Sequence, residues 1–166
     1  MVQIRNGVFE TNSSSTHSIV LVDKNVEPGL FVDFSMGEFG WSFDKLTTTD
    51  EKASYLYTAA CCLYNRDVYQ DLYEVLVKYG VECTCSVPAV KDKKYGWINN
   101  GYVDHVDGTE EFVNRMMTHE HALIRYLFSD QSFVVTGNDN CYHDQYEWMQ
   151  KQIDVDYPHT TFYKGN

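Results

Sequence analysis

Apolar residues recur in this chain with two rhythms, a period of two over short stretches and a period near 3.6 over longer ones, and the changes of rhythm outline its elements. Ser18-Ile19-Val20-Leu21-Val22 is apolar enough to predict a central strand, with residues 2–4 as a shorter strand before it. Residues 30–34 alternate, with Leu30, Val32 and Phe34 on one face, and residues 81–87 alternate until Pro88 ends them. Residues 131–136 predict another strand, closed by the turn sequence Gly137-Asn138-Asp139-Asn140. In Trp97-Ile98-Asn99-Asn100-Gly101-Tyr102-Val103 an Asn-Gly step lies between apolar pairs, which predicts a hairpin whose second strand delivers Asp104 and His105. The aromatic residues at the end of the chain predict an edge strand.

Helical spacing fills the remainder. Thr48 and Glu51 have the spacing of a capping box, and Ala53, Leu56, Tyr57, Ala60, Leu63 and Tyr64 follow as a core-facing stripe to about Asn65. A second helix is expected from Asp67, with Val68, Leu72, Val75, Leu76 and Tyr79 on its apolar side and Gly80 as its stop. Phe112, Val113, Met116, Leu123, Ile124, Leu127 and Phe128 predict core helices over residues 109–129, broken near Thr118, and residues 142–153 predict a last helix. The fold class expected is α+β: a small mixed or antiparallel sheet with about four to five helices packed on it, in a single domain spanning residues 1–166.

Composition narrows the function classes. With 166 residues, 43% apolar and 15% aromatic, the chain has the material for one proper core. No apolar run reaches membrane-spanning length and the start lacks a signal-peptide pattern, so a cytoplasmic protein with no membrane association is expected. A net charge of −11 argues against direct nucleic-acid binding and favours a basic partner, which an acidic surface can engage as a nucleic acid would. Lys91-Asp92-Lys93-Lys94 is a local basic exception, adequately explained as a surface loop. The five cysteines (Cys61, Cys62, Cys83, Cys85 and Cys141) are expected to be reduced, buried thiols, because structural zinc usually spaces its paired cysteines more widely than Cys83-Thr84-Cys85 does. No metal or cofactor is expected.

Three polar blocks fall in loops or at strand ends: residues 5–18, Asp104-His105 and Asn138-Asp139-Asn140. In the first, small hydroxyl residues, an amide and an imidazole lie between apolar segments, a composition that locks a tight turn and turns N–H groups and hydroxyls outward. Converged, these blocks would hold the inventory of an acid–base or phosphoryl-handling centre: His17, His105 and Asp139 as catalytic groups, with Arg5, Asn12, Ser13, Ser14, Ser15 and Asp104 as ligand-binding groups. The plainer reading is that the same residues cap helices and satisfy backbone. No Walker-type loop, Gly-x-Ser-x-Gly elbow or His-Glu-x-x-His helix is present.

The opening block, from Arg5 through Phe9-Glu10-Thr11-Asn12-Ser13-Ser14-Ser15 to His17-Ser18, resembles the start of a group of small proteins of bacteriophages and Firmicutes mobile elements. The blocks Tyr102-Val103-Asp104-His105 and Thr136-Gly137-Asn138-Asp139-Asn140 are similar to later blocks of that group. The resemblance implies a setting, the cytoplasm of a bacterial host, and a counter-defence role of the anti-CRISPR kind. On that reading the protein binds and inhibits a basic nucleic-acid-binding host protein such as a Cas effector. Asp50, Glu51, Asp67, Asp71 and Glu74 would face the partner's cationic groove, with exposed tyrosines as anchors. The alternative is an enzyme or sensor acting on a nucleotide or phosphorylated small molecule through the Ser/His-rich loop.

Overall fold

The computed structural model describes residues 15–22, 25–138 and 160–165. Arg5, Asn12, Ser13, Ser14, Asp139, Cys141, the short strand expected at residues 2–4 and the helix expected at 142–153 lie outside the described residues. Within them the class is α+β, with four α-helices and several small sheets.

The principal sheet is antiparallel throughout, in the order β10 (Thr160–Gly165), β1 (Ser15–Val22), β9 (Phe133–Asn138), β4 (Asp44–Leu46). Both the central strand and the C-terminal edge strand expected from the sequence are therefore present. Register distributes the side chains. Ile19 lies opposite Val134, which lies opposite Leu46, so these three form an apolar rung on the core face. One step along the same face, His17 lies opposite Thr136, which lies opposite Asp44. That second rung is polar.

Helix α1 (Thr49–Tyr64) starts where the capping box places it: Glu51 N donates to Thr48 Oγ1 at 3.3 Å, and Thr48 N donates to Glu51 Oε2 at 3.0 Å. It ends at Asn65, which takes the left-handed conformation that releases the chain. Residues 55–61 are all buried, so α1 is enclosed rather than striped, as a central helix must be. Enclosure extends to Lys52, whose Nζ donates to the carbonyl oxygens of Ser129 (2.7 Å) and Ser132 (3.1 Å) and ties down the connection into β9.

Helix α2 (Tyr69–Lys78) buries Val68, Leu72 and Leu76 as expected, and the chain turns at Gly80, with φ of +76°. It leads into β5 (Glu82–Val87), which pairs in parallel with β2 (Phe31–Ser35). Val32 and Phe34 face the core from β2; Leu30 was expected with them but precedes the strand and is 85% exposed. Helices α3 (Glu110–Thr118) and α4 (Glu120–Phe128) are separated at His119, whose extended backbone (φ −125°, ψ 94°) supplies the expected break.

The Asn-Gly hairpin does not form. β7 (Ile98–Asn99) pairs instead with β6 (Val90–Lys91), whereas β8 (Tyr102–Val103) pairs in parallel with β3 (Glu38–Phe39). Close backbone contact explains the difference. A Cβ added to Gly101 would sit 2.5 Å from the carbonyl oxygen and 2.6 Å from the nitrogen of Gly37, and Tyr102 N donates to Gly37 O at 2.8 Å. Gly101 thus serves a backbone crossing rather than a two-residue turn. The β6–β7 hairpin is closed by Asp92, whose carboxylate accepts from Lys94 N and Tyr95 N, and its tip exposes Tyr95 and Trp97 as a stacked pair with centroids 5.0 Å apart.

A polar junction at the end of the sheet

The candidate site is built around His17. Its place on β1 puts it on the polar rung, where the strand is covered on both faces, and the ring is fully buried. Tyr55 of α1 lies against it, with ring centroids 5.8 Å apart. From the other side comes the segment following β8: His17 Nε2 is 2.6 Å from the backbone carbonyl oxygen of Asp104. A carbonyl only accepts, so Nε2 carries the proton and Nδ1 the lone pair. Burial lowers the pKa of the imidazole, an effect partly offset by that carbonyl and the Asp104 charge, and the ring is held neutral.

Gly40 closes the junction. Its φ of +105° is unsuited to other residues, and a Cβ there would sit 2.9 Å from Asp104 Cβ and 3.3 Å from His17 Cε1. Asp104 N donates to Phe39 O at 2.9 Å, fixing the segment to β3. Beside it stands Tyr102, whose phenol is pushed up to about 12 by burial and then by the Asp104 and Glu38 charges. Trp41, 56% exposed, lies over Tyr102 with centroids 5.8 Å apart and forms an aromatic rim. Thr136 Oγ1 donates to Ser42 O at 3.3 Å, and Ser42 Oγ donates to Asp44 Oδ2 at 2.5 Å, so the rest of the rung is satisfied locally.

Three buried atoms in the junction, His17 Nδ1, Tyr102 Oη and Asp104 Oδ2, have no hydrogen-bond partner among the described residues. Folded proteins rarely leave such atoms unpaired, and where they do the atoms often serve a site.

The three polar blocks therefore meet in part. His17 and Asp104 touch, and the backbone register sets Ser15 opposite Asn138 and Thr16 opposite Gly137, joining the first block to the third. His105 does not enter: it is exposed, with φ of +52°, at the start of the 3-10 turn Val106–Thr109. Gly40, Tyr55 and Tyr102 were not singled out as site residues by sequence reasoning. Of these, only Tyr102 carried a local signal, its adjacency to Asp104.

The acidic residues expected to face a partner are engaged inside the chain. Asp50 Oδ1 accepts from Asp33 N, and Glu51 closes the cap of α1. Asp67 Oδ1 accepts from Tyr57 Oη at 2.9 Å and from Tyr69 N at 2.8 Å. Asp71 pairs with Arg66, and Glu74 accepts from Gln70 Nε2 at 3.1 Å. The described thiols are free, and burial pushes Cys61 up to about 12 and Cys83 to about 11, leaving them protonated and unreactive at neutral pH.

No protein-family model, no curated protein and no solved structure matches this chain. Among the described residues no helix is long and apolar enough to cross a membrane, and no group of three or more His, Cys, Asp or Glu side chains is placed to hold a metal ion.

Proposed function

We propose that this protein is a small-ligand enzyme or sensor that works through the junction of His17 and Asp104, with nucleotides and related metabolites as its ligand class. The observation that carries this reading is that segments 87 residues apart in sequence bring a buried neutral imidazole and a carboxylate together, and leave a reactive atom of each unpaired. In such a site His17 Nδ1 accepts a proton from the ligand, while the Asp104 carbonyl holds Nε2–H and stabilises the imidazolium that forms. Asp104 Oδ2 orients the ligand, and Trp41 shields it from water. The test is a binding and turnover screen with nucleosides, nucleotides and phosphorylated metabolites, run in parallel on His17→Gln. Responses that are equal in both proteins would end this reading.

A second reading is supported by the net charge of −11 and by the exposed Tyr95–Trp97 pair, which has the form of an aromatic anchor. In it the protein acts in counter-defence and inhibits a basic nucleic-acid-guided effector. Co-purification with candidate effectors at low and high salt tests it, since a charge-driven complex weakens as ionic strength rises. His17→Gln separates the two readings, because it removes ligand chemistry and leaves inhibition intact.

A further inference from the structure

The lysine-rich stretch at residues 91–94 forms the turn of the β6–β7 hairpin, and that turn is firmly built. Asp92 N donates to Trp97 O at 2.8 Å, and Gly96 N donates to Asp92 O at 2.9 Å. The Asp92 carboxylate is taken up by the turn, accepting from Lys94 N, Tyr95 N and, at 3.3 Å, Asn99 Nδ2. Asn65, at the end of α1, donates from Nδ2 to Gly96 O at 3.2 Å and pins the tip to the body of the protein. On this frame Tyr95 and Trp97, each 57% exposed, stack with an interplanar angle of 13°. One face of Trp97 rests on Tyr95, and the other is left to solvent. Lys91, Lys93 and Lys94 are exposed, and Lys94 Nζ lies 4.7 Å from the Tyr95 ring centroid. Among the described residues no Asp or Glu holds any of these lysines in an ion pair. Three lysines against one aspartate make residues 90–99 positive within a chain of net charge −11.

We propose that this tip is a docking surface for a single strand of nucleic acid, with a base stacked on Trp97 and phosphates against the lysines. Such a strand needs flat ring faces that its bases can extend and ammonium groups beside them, and the tip presents both. Stacking decides the form of the strand, because bases inside a duplex already cover one another whereas those of a single strand are available. An acidic peptide would use the lysines and leave the parallel rings without a matching surface. The net charge of −11 describes the average surface, and at physiological ionic strength charges more than about 8 Å from the tip are largely screened, so the local patch decides. The proposal rests on neither reading above. With a ligand site at His17 the tip is a separate surface, and in counter-defence it meets the nucleic acid that a guided effector carries rather than the effector's basic groove.

The experiment titrates the full chain into fluorescein-labelled oligothymidylate and oligouridylate of about twelve nucleotides. Beside them run the oligothymidylate annealed to its complement, an oligoglutamate peptide, and vesicles of phosphatidylserine and phosphatidylcholine. Single strands are expected to bind more tightly than duplex, peptide or vesicles, and a response to one of the two oligonucleotides alone identifies the sugar that is preferred. Trp97→Leu weakens single-strand binding by about fivefold or more, the loss of one stacked base. Lys93→Gln combined with Lys94→Gln reduces the slope of log affinity against log salt by about 1.4, at about 0.7 for each phosphate contact. Both variants replace exposed side chains, and urea denaturation verifies that each is folded. Absence of single-strand binding, or binding that is unchanged in both variants, would overturn the proposal. Equal binding of the duplex would overturn the stacking, and a preference for the peptide or the vesicles would give the tip to an acidic protein or a membrane surface instead.

Discussion

Gly101 crosses Gly37 with the two backbones in direct contact, at a distance that leaves no room for a Cβ on residue 101. Everything that β8 delivers to the junction depends on this crossing. Gly101→Ala forces the strands apart, weakens the bond from Tyr102 N to Gly37 O, and displaces Asp104 from His17. The expected cost is about 1–3 kcal/mol in chemical denaturation, accompanied by a changed His17 signal in histidine spectra. A variant as stable as wild type would show that the crossing bears no strain.

His17 makes stability depend on acid. Burial lowers its pKa from the ordinary 6.5, so on acidification the unfolded chain takes up this proton before the folded one does. Its contribution is complete above pH 6.5 and is lost as the pH falls through the lowered value. Wild type should therefore lose more stability between pH 7.5 and pH 5 than His17→Gln does, with urea denaturation at each pH as the measurement. Parallel losses would mean that His17 charges as readily folded as unfolded.

Lys52 works in the opposite range. Burial lowers its ammonium from 10.5 to about 8, which makes the charged form a burden on the fold at neutral pH. Raising the pH from 8 towards 10.5 removes that burden, worth roughly 3 kcal/mol, while the neutral amine can still donate to the carbonyls of Ser129 and Ser132. Cys61 and Cys83 are pushed up and act the other way above pH 9, so wild type must be compared with Lys52→Met. Their stability difference should widen in favour of wild type between pH 7 and pH 10.

Asp67 and Glu74 distinguish structural acids from surface acids. Asp67 holds the Tyr57 phenol and the first turn of α2, and Tyr57 Oη in turn accepts from Ala89 N at 2.9 Å. Asp67→Ala should cost about 1–3 kcal/mol. Glu74→Ala, which gives up one exposed contact to Gln70, should cost less than about 0.5 kcal/mol. Any search for a charge-driven partner is therefore better begun at Glu74.

Much of the fold was legible because its signals are local. The capping box of Thr48 and Glu51, the left-handed stop near Gly80 and the break at His119 each belong to a few consecutive residues, and each appears where its chemistry requires. The Asn99-Asn100-Gly101-Tyr102 stretch misled for the same reason. An Asn-Gly step looks alike whether its glycine serves a turn or an approach by a distant backbone, and Gly37 lies 64 positions earlier. Lys52 escaped notice because its partners are carbonyl oxygens some eighty residues away, which leave no trace in side-chain identity. In the junction, the polar character of His17 and Asp104 was evident, but their contact depends on which strands pair. His105, equally polar and adjacent, turns out to solvent because its left-handed backbone starts a new turn.

The strand order also governs how the chain can be made. β1 is translated before both of its neighbours, one of which is completed only at Asn138 and the other only at Gly165. Throughout the synthesis of more than a hundred intervening residues, Ile19-Val20-Leu21 has both hydrogen-bonding edges open and no sheet to join. Among the described strands the last closes the first, so a nascent chain stalled before β10 presents an unpaired apolar strand to chaperones and to its own copies.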